Sequence, residues 1–125
     1  MKKTSIAIFE DDKVDGFIYE RLFDHIKKPV EFHLFENPET GYAMARKVKF
    51  DIAIIQIHFW GDNLSGINIL KRIKEIYGHE ILAIGITSLL QEGDLEILLA
   101  SGFSMCIEKP MAFQEINEIL DKEGK

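Results

Sequence analysis

Residues 51–58 form an apolar run, Ile52, Ala53, Ile54, Ile55 and Ile57, with a polar amide, Gln56, set near its far end. A short β-rich run bounded by polar residues predicts a strand buried on both faces, as at the centre of a parallel sheet. Gln56 then falls where the strand emerges, at the carboxyl edge where open α/β sheets place their chemistry. Strand and helix patterns alternate from end to end, with no low-complexity linker and no internal repeat.

Residues 5–9 predict a first strand that stops at Glu10-Asp11-Asp12. Val14, Phe17, Ile18, Leu22 and Ile26 recur at helical spacing as a core stripe, on a helix that Asp11 or Asp12 caps. It ends near Lys27-Lys28, where Pro29 prevents continuation. Residues 30–35 alternate as a half-buried or edge strand, and Asn37-Pro38-Glu39 opens a second helix running to about Val48. After the central strand comes a loop, residues 59–66, and a helix carried by Ile67, Leu70, Ile73 and Tyr77. Residues 80–86 predict a fourth strand closing on Thr87-Ser88. Leu95, Leu98 and Leu99 make the core stripe of a helix ending at Ser101-Gly102. A short fifth strand, residues 104–107, leads to Glu108-Lys109-Pro110 and a last helix lined by Phe113, Ile116, Ile119 and Leu120. Five strands separated by five helices with short connections predict a doubly wound, three-layer α/β/α domain around a parallel sheet.

Composition narrows the function classes. At 125 residues and 46% hydrophobic, the chain suits one core and one domain. Its 15 Lys and Arg against 21 Asp and Glu give a net charge of −6 without long blocks of either sign, which points away from nucleic acid and toward a metal, a cationic patch or another protein. No run approaches the roughly 18 apolar residues of a membrane span. The basic opening is followed by too short an apolar stretch for a signal peptide. The single cysteine, Cys106, rules out an intrachain disulfide, and the expectation is a cytoplasmic protein.

Four strand ends carry side chains able to converge: Glu10-Asp11-Asp12, Gln56, Thr87-Ser88 and Lys109. In that order the chain resembles, over essentially its whole length, the CheY-like receiver domain of two-component response regulators. The resemblance implies a flavodoxin-like fold with strand order 2-1-3-4-5. It also implies an acidic pair, Glu10 and Asp11, that holds Mg²⁺ with the backbone carbonyl of His58. Thr87 and Lys109 would contact the phosphoryl oxygens of an aspartate phosphorylated by a histidine kinase. These are apt groups: Mg²⁺ prefers hard oxygen ligands, and phosphoryl transfer needs its developing charge neutralised.

The departures point to a different behaviour. Where the resemblance places the phosphoacceptor aspartate stands Gln56, whose neutral amide is no usable nucleophile. A family proline soon after it is matched by Trp60, the loop to Gly66 is longer than the common form, and the usual aromatic three residues before the lysine is Cys106. The expected function is therefore that of a degenerate receiver, a pseudo-receiver and not an enzyme, acting by protein–protein interaction in a phosphorelay without phosphorylation at position 56. Its partners would be a histidine kinase or downstream effector. With no output domain attached, signalling would pass through the face of the last two helices and the fourth and fifth strands. The alternative is a pocket that still handles phosphate, binding a phosphorylated ligand or using another acceptor such as Asp12 or Asp62. A flavodoxin-like small-molecule binder is a third reading, for which no Gly-rich phosphate loop is present.

Each residue also has a plainer role. The acidic trio caps a helix and solubilises it, but at a strand end it reads as a remnant, weak Mg²⁺ site. Lys109 is expected to pair with Asp11 or Glu10. The Lys109-Pro110 bond is cis in many relatives. Trp60, the only tryptophan, folds over the pocket, anchors a partner or is simply a partly buried loop residue. Cys106 is a second candidate partner contact and, more plainly, a small buried residue on an inner strand. His25, His33, His58 and His79 lack metal-ligand spacing, and the side chain of His58 needs no role.

Overall fold

The computed structural model describes residues 3–78 and 81–123, with the side chains of Phe113 and Glu123 left aside. His79 and Glu80, and the Phe113 side chain expected to line the last helix, therefore lie outside the described residues. The strands are β1 (Thr4–Phe9), β2 (Val30–Phe35), β3 (Ile52–Gln56), β4 (Leu82–Thr87) and β5 (Met105–Glu108). The helices are α1 (Lys13–Asp24), α2 (Pro38–Ala45), α3 (Gly66–Tyr77), α4 (Asp94–Ala100) and α5 (Phe113–Glu123). All strand pairs are parallel in the order β2-β1-β3-β4-β5, as predicted.

The period of two along each strand divides the core. Ala7, Phe9, Ala53, Ile55 and Ala83 pack with Tyr42 and Ala45 of α2, Ile69, Leu70 and Ile73 of α3 and Leu98 of α4. On the opposite face Ile6, Ile8, Ile52, Ile54, Ile84 and Ile86 pack with Tyr19 and Phe23 of α1 and with Ile116, Ile119 and Leu120 of α5. Each fully buried isoleucine contributes about 1.5–3 kcal/mol, so the central strands carry much of the driving force. Edge strand β2 is exposed at Glu31, buried at Phe35 and half-buried elsewhere, as its place at the sheet edge requires.

Two helical stripes are turned otherwise than expected. On α1 the buried residues are Gly16, Tyr19 and Phe23, whereas Val14 (70%), Phe17 (53%) and Ile18 are exposed. Gly16 fixes this phase: a Cβ there would stand 2.7 Å from Leu34 Cδ2, so the helix approaches β2 through its one residue without a side chain. On α4 only Leu98 is buried, and Leu95, Ile97 and Leu99 face solvent. The boundaries also shift. Helix α1 closes at Asp24, with His25 as its C-cap, and α2 at Ala45, short of Lys27-Lys28 and Val48. Asp12 caps α1, accepting from the Val14 and Asp15 N–H groups at 2.8 and 3.1 Å. Asn37 caps α2 with Pro38 in its first turn. Among the described residues no helix is long and apolar enough to cross a membrane.

Candidate functional site

Parallel strands deliver their carboxyl ends to one edge, and the register Phe9↔Ile55, Gln56↔Ile86 and Thr87↔Glu108 aligns the residues that follow. There Glu10, Asp11, Gln56, Thr87 and Lys109 are gathered. Glu10 is 1% exposed, although it is a carboxylate in a strand extension. Its Oε1 lies 2.9 Å from Lys109 Nζ and accepts from the Tyr19 hydroxyl at 3.3 Å, while its Oε2 accepts the Asp12 N–H. Lys109 Nζ also donates to Asp15 Oδ2 at 2.5 Å. The lysine thus joins the expected partner Glu10 and an unexpected one, Asp15, in the first turn of α1; Asp11 is not its partner.

Burial governs the charges of this cluster. It pushes the Glu10 carboxyl above its ordinary value, outweighing the opposing pull of Lys109. The lysine is also partly buried, which disfavours its charge, but the hydrogen bonds to Asp15 and Glu10 prevail and raise it. Burial, and then the charge of Glu10, likewise hold the Tyr19 hydroxyl protonated far above its usual range.

Asp11 faces the loop after β3. Its Oδ2 accepts the Trp60 backbone N–H at 3.2 Å, and its buried Oδ1 has no hydrogen-bond partner. The Gln56 Oε1 is the second buried side-chain oxygen left without one. Trp60 itself adopts φ 58, the left-handed region that a bulky residue enters at a cost of about 1–2 kcal/mol. The residue is 59% exposed and its ring meets Phe59 edge-to-face at 5.2 Å, so it does not close over the strand ends as a buried plug. His58 does use its side chain: Nδ1 accepts the Leu64 N–H at 3.0 Å, and its carbonyl accepts from Gly61. Ser65 Oγ donates to the Phe59 carbonyl at 2.8 Å. These bonds fix a loop that also contains a second non-glycine residue of positive φ, Leu64.

The Thr87 side chain is buried and engaged locally, donating to the Leu89 carbonyl at 3.2 Å and accepting the Leu89 N–H at 3.3 Å. The Lys109-Pro110 bond is cis. Cys106 lies on β5, an edge strand and not an inner one, and is half-buried against Gly85, with burial raising its thiol pKa. Among the described residues no three His, Cys, Asp or Glu side chains gather as a metal cluster. Asp15 is the site residue that sequence reasoning missed. Its only signal was an acidic residue in the first turn of the helix after the first strand, which α2 and α4 show as well.

No family model and no curated protein sequence matches the chain. Solved structures do. A receiver domain of a DNA-binding response regulator from Colwellia psychrerythraea 34H superposes with a TM-score of 0.82 at 23% identity, covering 96% of this chain and 97% of that one. The receiver domain of a sensor histidine kinase from Pseudomonas aeruginosa PAO1, solved with magnesium in its active-site cleft, gives 0.81 at 20% identity over 99% and 100%. A response regulator receiver protein from Pseudoalteromonas atlantica gives 0.79 at 17% identity over 95% of each chain. The chain accordingly has the CheY-like receiver fold, carried by a sequence far from that of each of these structures.

Proposed function

We propose that this chain is a degenerate receiver, a signalling module of the two-component type that works through protein–protein contacts and is not phosphorylated at position 56. The observation that carries this reading is Gln56 itself. It ends the central strand of a receiver fold with its side-chain oxygen buried and unpartnered, where a phosphoacceptor would need a carboxylate nucleophile. An amide neither attacks a phosphoryl group nor forms an acyl phosphate. On this reading the chain is a binding module of the cytoplasm rather than an enzyme, and its partners are a kinase or effector rather than nucleic acid or membrane.

The remaining pocket groups support a resting, self-satisfied arrangement. Lys109 is engaged by Glu10 and Asp15, and Thr87 by its own loop, so neither reaches outward for phosphate. A hard divalent cation still fits the donor set. Asp11 Oδ1 and Gln56 Oε1 are buried oxygens awaiting a partner, and Mg²⁺ favours such ligands. With Glu10 committed to Lys109, Asp11 is the carboxylate that would hold it, with the His58 carbonyl alongside, and binding would be weak. Bound there, the ion would supply positive charge to an anionic ligand. The exposed apolar residues of α4, Leu95, Ile97 and Leu99, support the face of α4, α5, β4 and β5 as a contact surface. Those of α1 offer another.

The test is incubation of the unmodified chain with Mg²⁺ and a small phosphodonor, followed by intact-mass spectrometry. No phosphoryl mass is expected; stoichiometric addition to this chain would overturn the proposal in favour of another acceptor such as Asp12 or Asp62.

A further inference from the structure

A recess of about 350 Å³ lies between α2, the turn Phe59–Gly61 and α3, beside the strand-end cluster but separate from it. Its walls include three aromatic rings, Tyr42, Phe59 and Trp60, and two carboxylates, Glu39 and Asp62. Such a combination selects for one chemistry. The negative faces of aromatic rings attract a cation, and carboxylates beside them supply the opposite charge. We propose that this recess receives an arginine side chain presented by a partner protein.

Three observations support a cationic occupant. None of the residues lining the recess is Lys or Arg, and among the described residues neither Glu39 nor Asp62 has an ion-pair partner. The Glu39 charge is felt inside it: after burial, it is the next cause holding the Tyr42 hydroxyl protonated above its usual range. The guanidinium of Arg72 already lies 6.0 Å from the Tyr42 ring centroid, so this aromatic wall is compatible with a neighbouring guanidinium. Arg72 lies 3.9 Å from Glu75 and, among the described residues, pairs with neither recess carboxylate, although its charge opposes that of Glu39 at the Tyr42 hydroxyl.

The wall is also held ready before any partner arrives. Trp60 is the largest exposed ring, and its backbone sits in the left-handed region because Asp11 holds its N–H and the Gly61 N–H bonds to His58. A side chain displayed from a strained position in solvent is not explained by packing. Arginine is favoured over lysine because its flat guanidinium stacks on rings while pairing with carboxylates through its forked donors. The net charge of −6 would steer a basic partner toward the surface. This assignment goes beyond the proposed function by naming the partner chemistry, and it does not depend on the chemistry at Gln56.

Trp60 is the only tryptophan, so its fluorescence reads the recess directly. The full chain is titrated with a capped Gly-Arg-Gly peptide and, in parallel, with the same peptide carrying citrulline, a neutral isostere, or lysine, and with free methylguanidinium. The expected result is a saturable change with the arginine peptide, weakened about fivefold or more for lysine and for citrulline. Glu39→Gln with Asp62→Asn is expected to remove the response while the circular dichroism spectrum and melting temperature stay unchanged. Equal binding of the citrulline peptide, or undiminished binding by the double variant, would overturn the proposal. Methylguanidinium binding as tightly as the peptide would overturn the assignment to a protein partner. The titration uses no phosphodonor, so its failure leaves the reading of Gln56 untouched.

Discussion

Lys109 Nζ stands 2.9 Å from Oε1 of the fully buried Glu10, and the same ammonium reaches Asp15 on α1. One cation thereby ties the end of β5 to the end of β1 and to the helix that follows it. Removing the cation leaves a buried carboxylate without a compensating charge.

Lys109→Met should therefore destabilise the fold by about 3–5 kcal/mol near neutral pH. The folded-state pKa of Lys109 is raised above its ordinary 10.5, so its stabilising contribution is complete below 10.5 and fades as pH rises through the folded value. Urea denaturation of both forms across the alkaline range should show the gap narrowing above pH 10.5. A penalty that does not change with pH would contradict a charge-based role.

Asp11 is the acceptor that keeps Trp60 in place, through the 3.2 Å bond to its backbone N–H. Asp11→Ala should cost about 1 kcal/mol and free that amide. Hydrogen exchange at Trp60 should accelerate, with the tryptophan emission changing in parallel, while exchange in the centre of β3 stays slow. Unchanged exchange at Trp60 would mean that the loop is held by its other bonds alone.

Gly66 opens α3 so close to β3 that a Cβ would lie 2.6 Å from the Gln56 backbone carbonyl oxygen and 3.0 Å from Ile57 Cα. Those neighbours are backbone in and just after a central strand and have little room to give. Gly66→Ala is expected to lower stability by about 1–3 kcal/mol and to displace the end of β3. A melting temperature equal to that of the unmodified protein would show that the helix start can slide.

Gln56→Asp adds a carboxylate at the same strand edge as Asp11, whose Oδ1 is already buried and unpartnered. Mutual repulsion should reduce the metal-free stability by about 1 to 2 kcal/mol, and Mg²⁺ should restore it by binding the folded state. Denaturation curves with and without Mg²⁺ measure both effects. Equal midpoints for the two proteins under both conditions would show that the strand-end carboxylates do not interact.

The fold was legible because each strand is an apolar run ending in polar residues, and each intervening segment repeats at helical spacing. The strand ends were legible for the same reason: Glu10, Gln56, Thr87 and Lys109 each lie at or just beyond the end of such a run. The phase of α1 was not. Val14, Phe17 and Ile18 satisfy helical spacing as well as Gly16, Tyr19 and Phe23 do, and only the close approach of Gly16 to Leu34 selects the second set. Asp15 was hidden because its partner is 94 positions away, across a layer where α1 and α5 meet. The left-handed backbone of Trp60 carries no sequence mark, since it arises from acceptors supplied by Asp11 and His58.

The most direct measurement of the central claim is intact-mass spectrometry with peptide mapping, after incubating this chain and its Gln56→Asp variant side by side with Mg²⁺ and a small phosphodonor. The expected result is a phosphoryl adduct on the Gln56→Asp variant alone, mapped to position 56, with the unmodified chain unchanged. Phosphorylation of the unmodified chain at any pocket residue would contradict the reading of Gln56 as the feature that disarms this receiver fold.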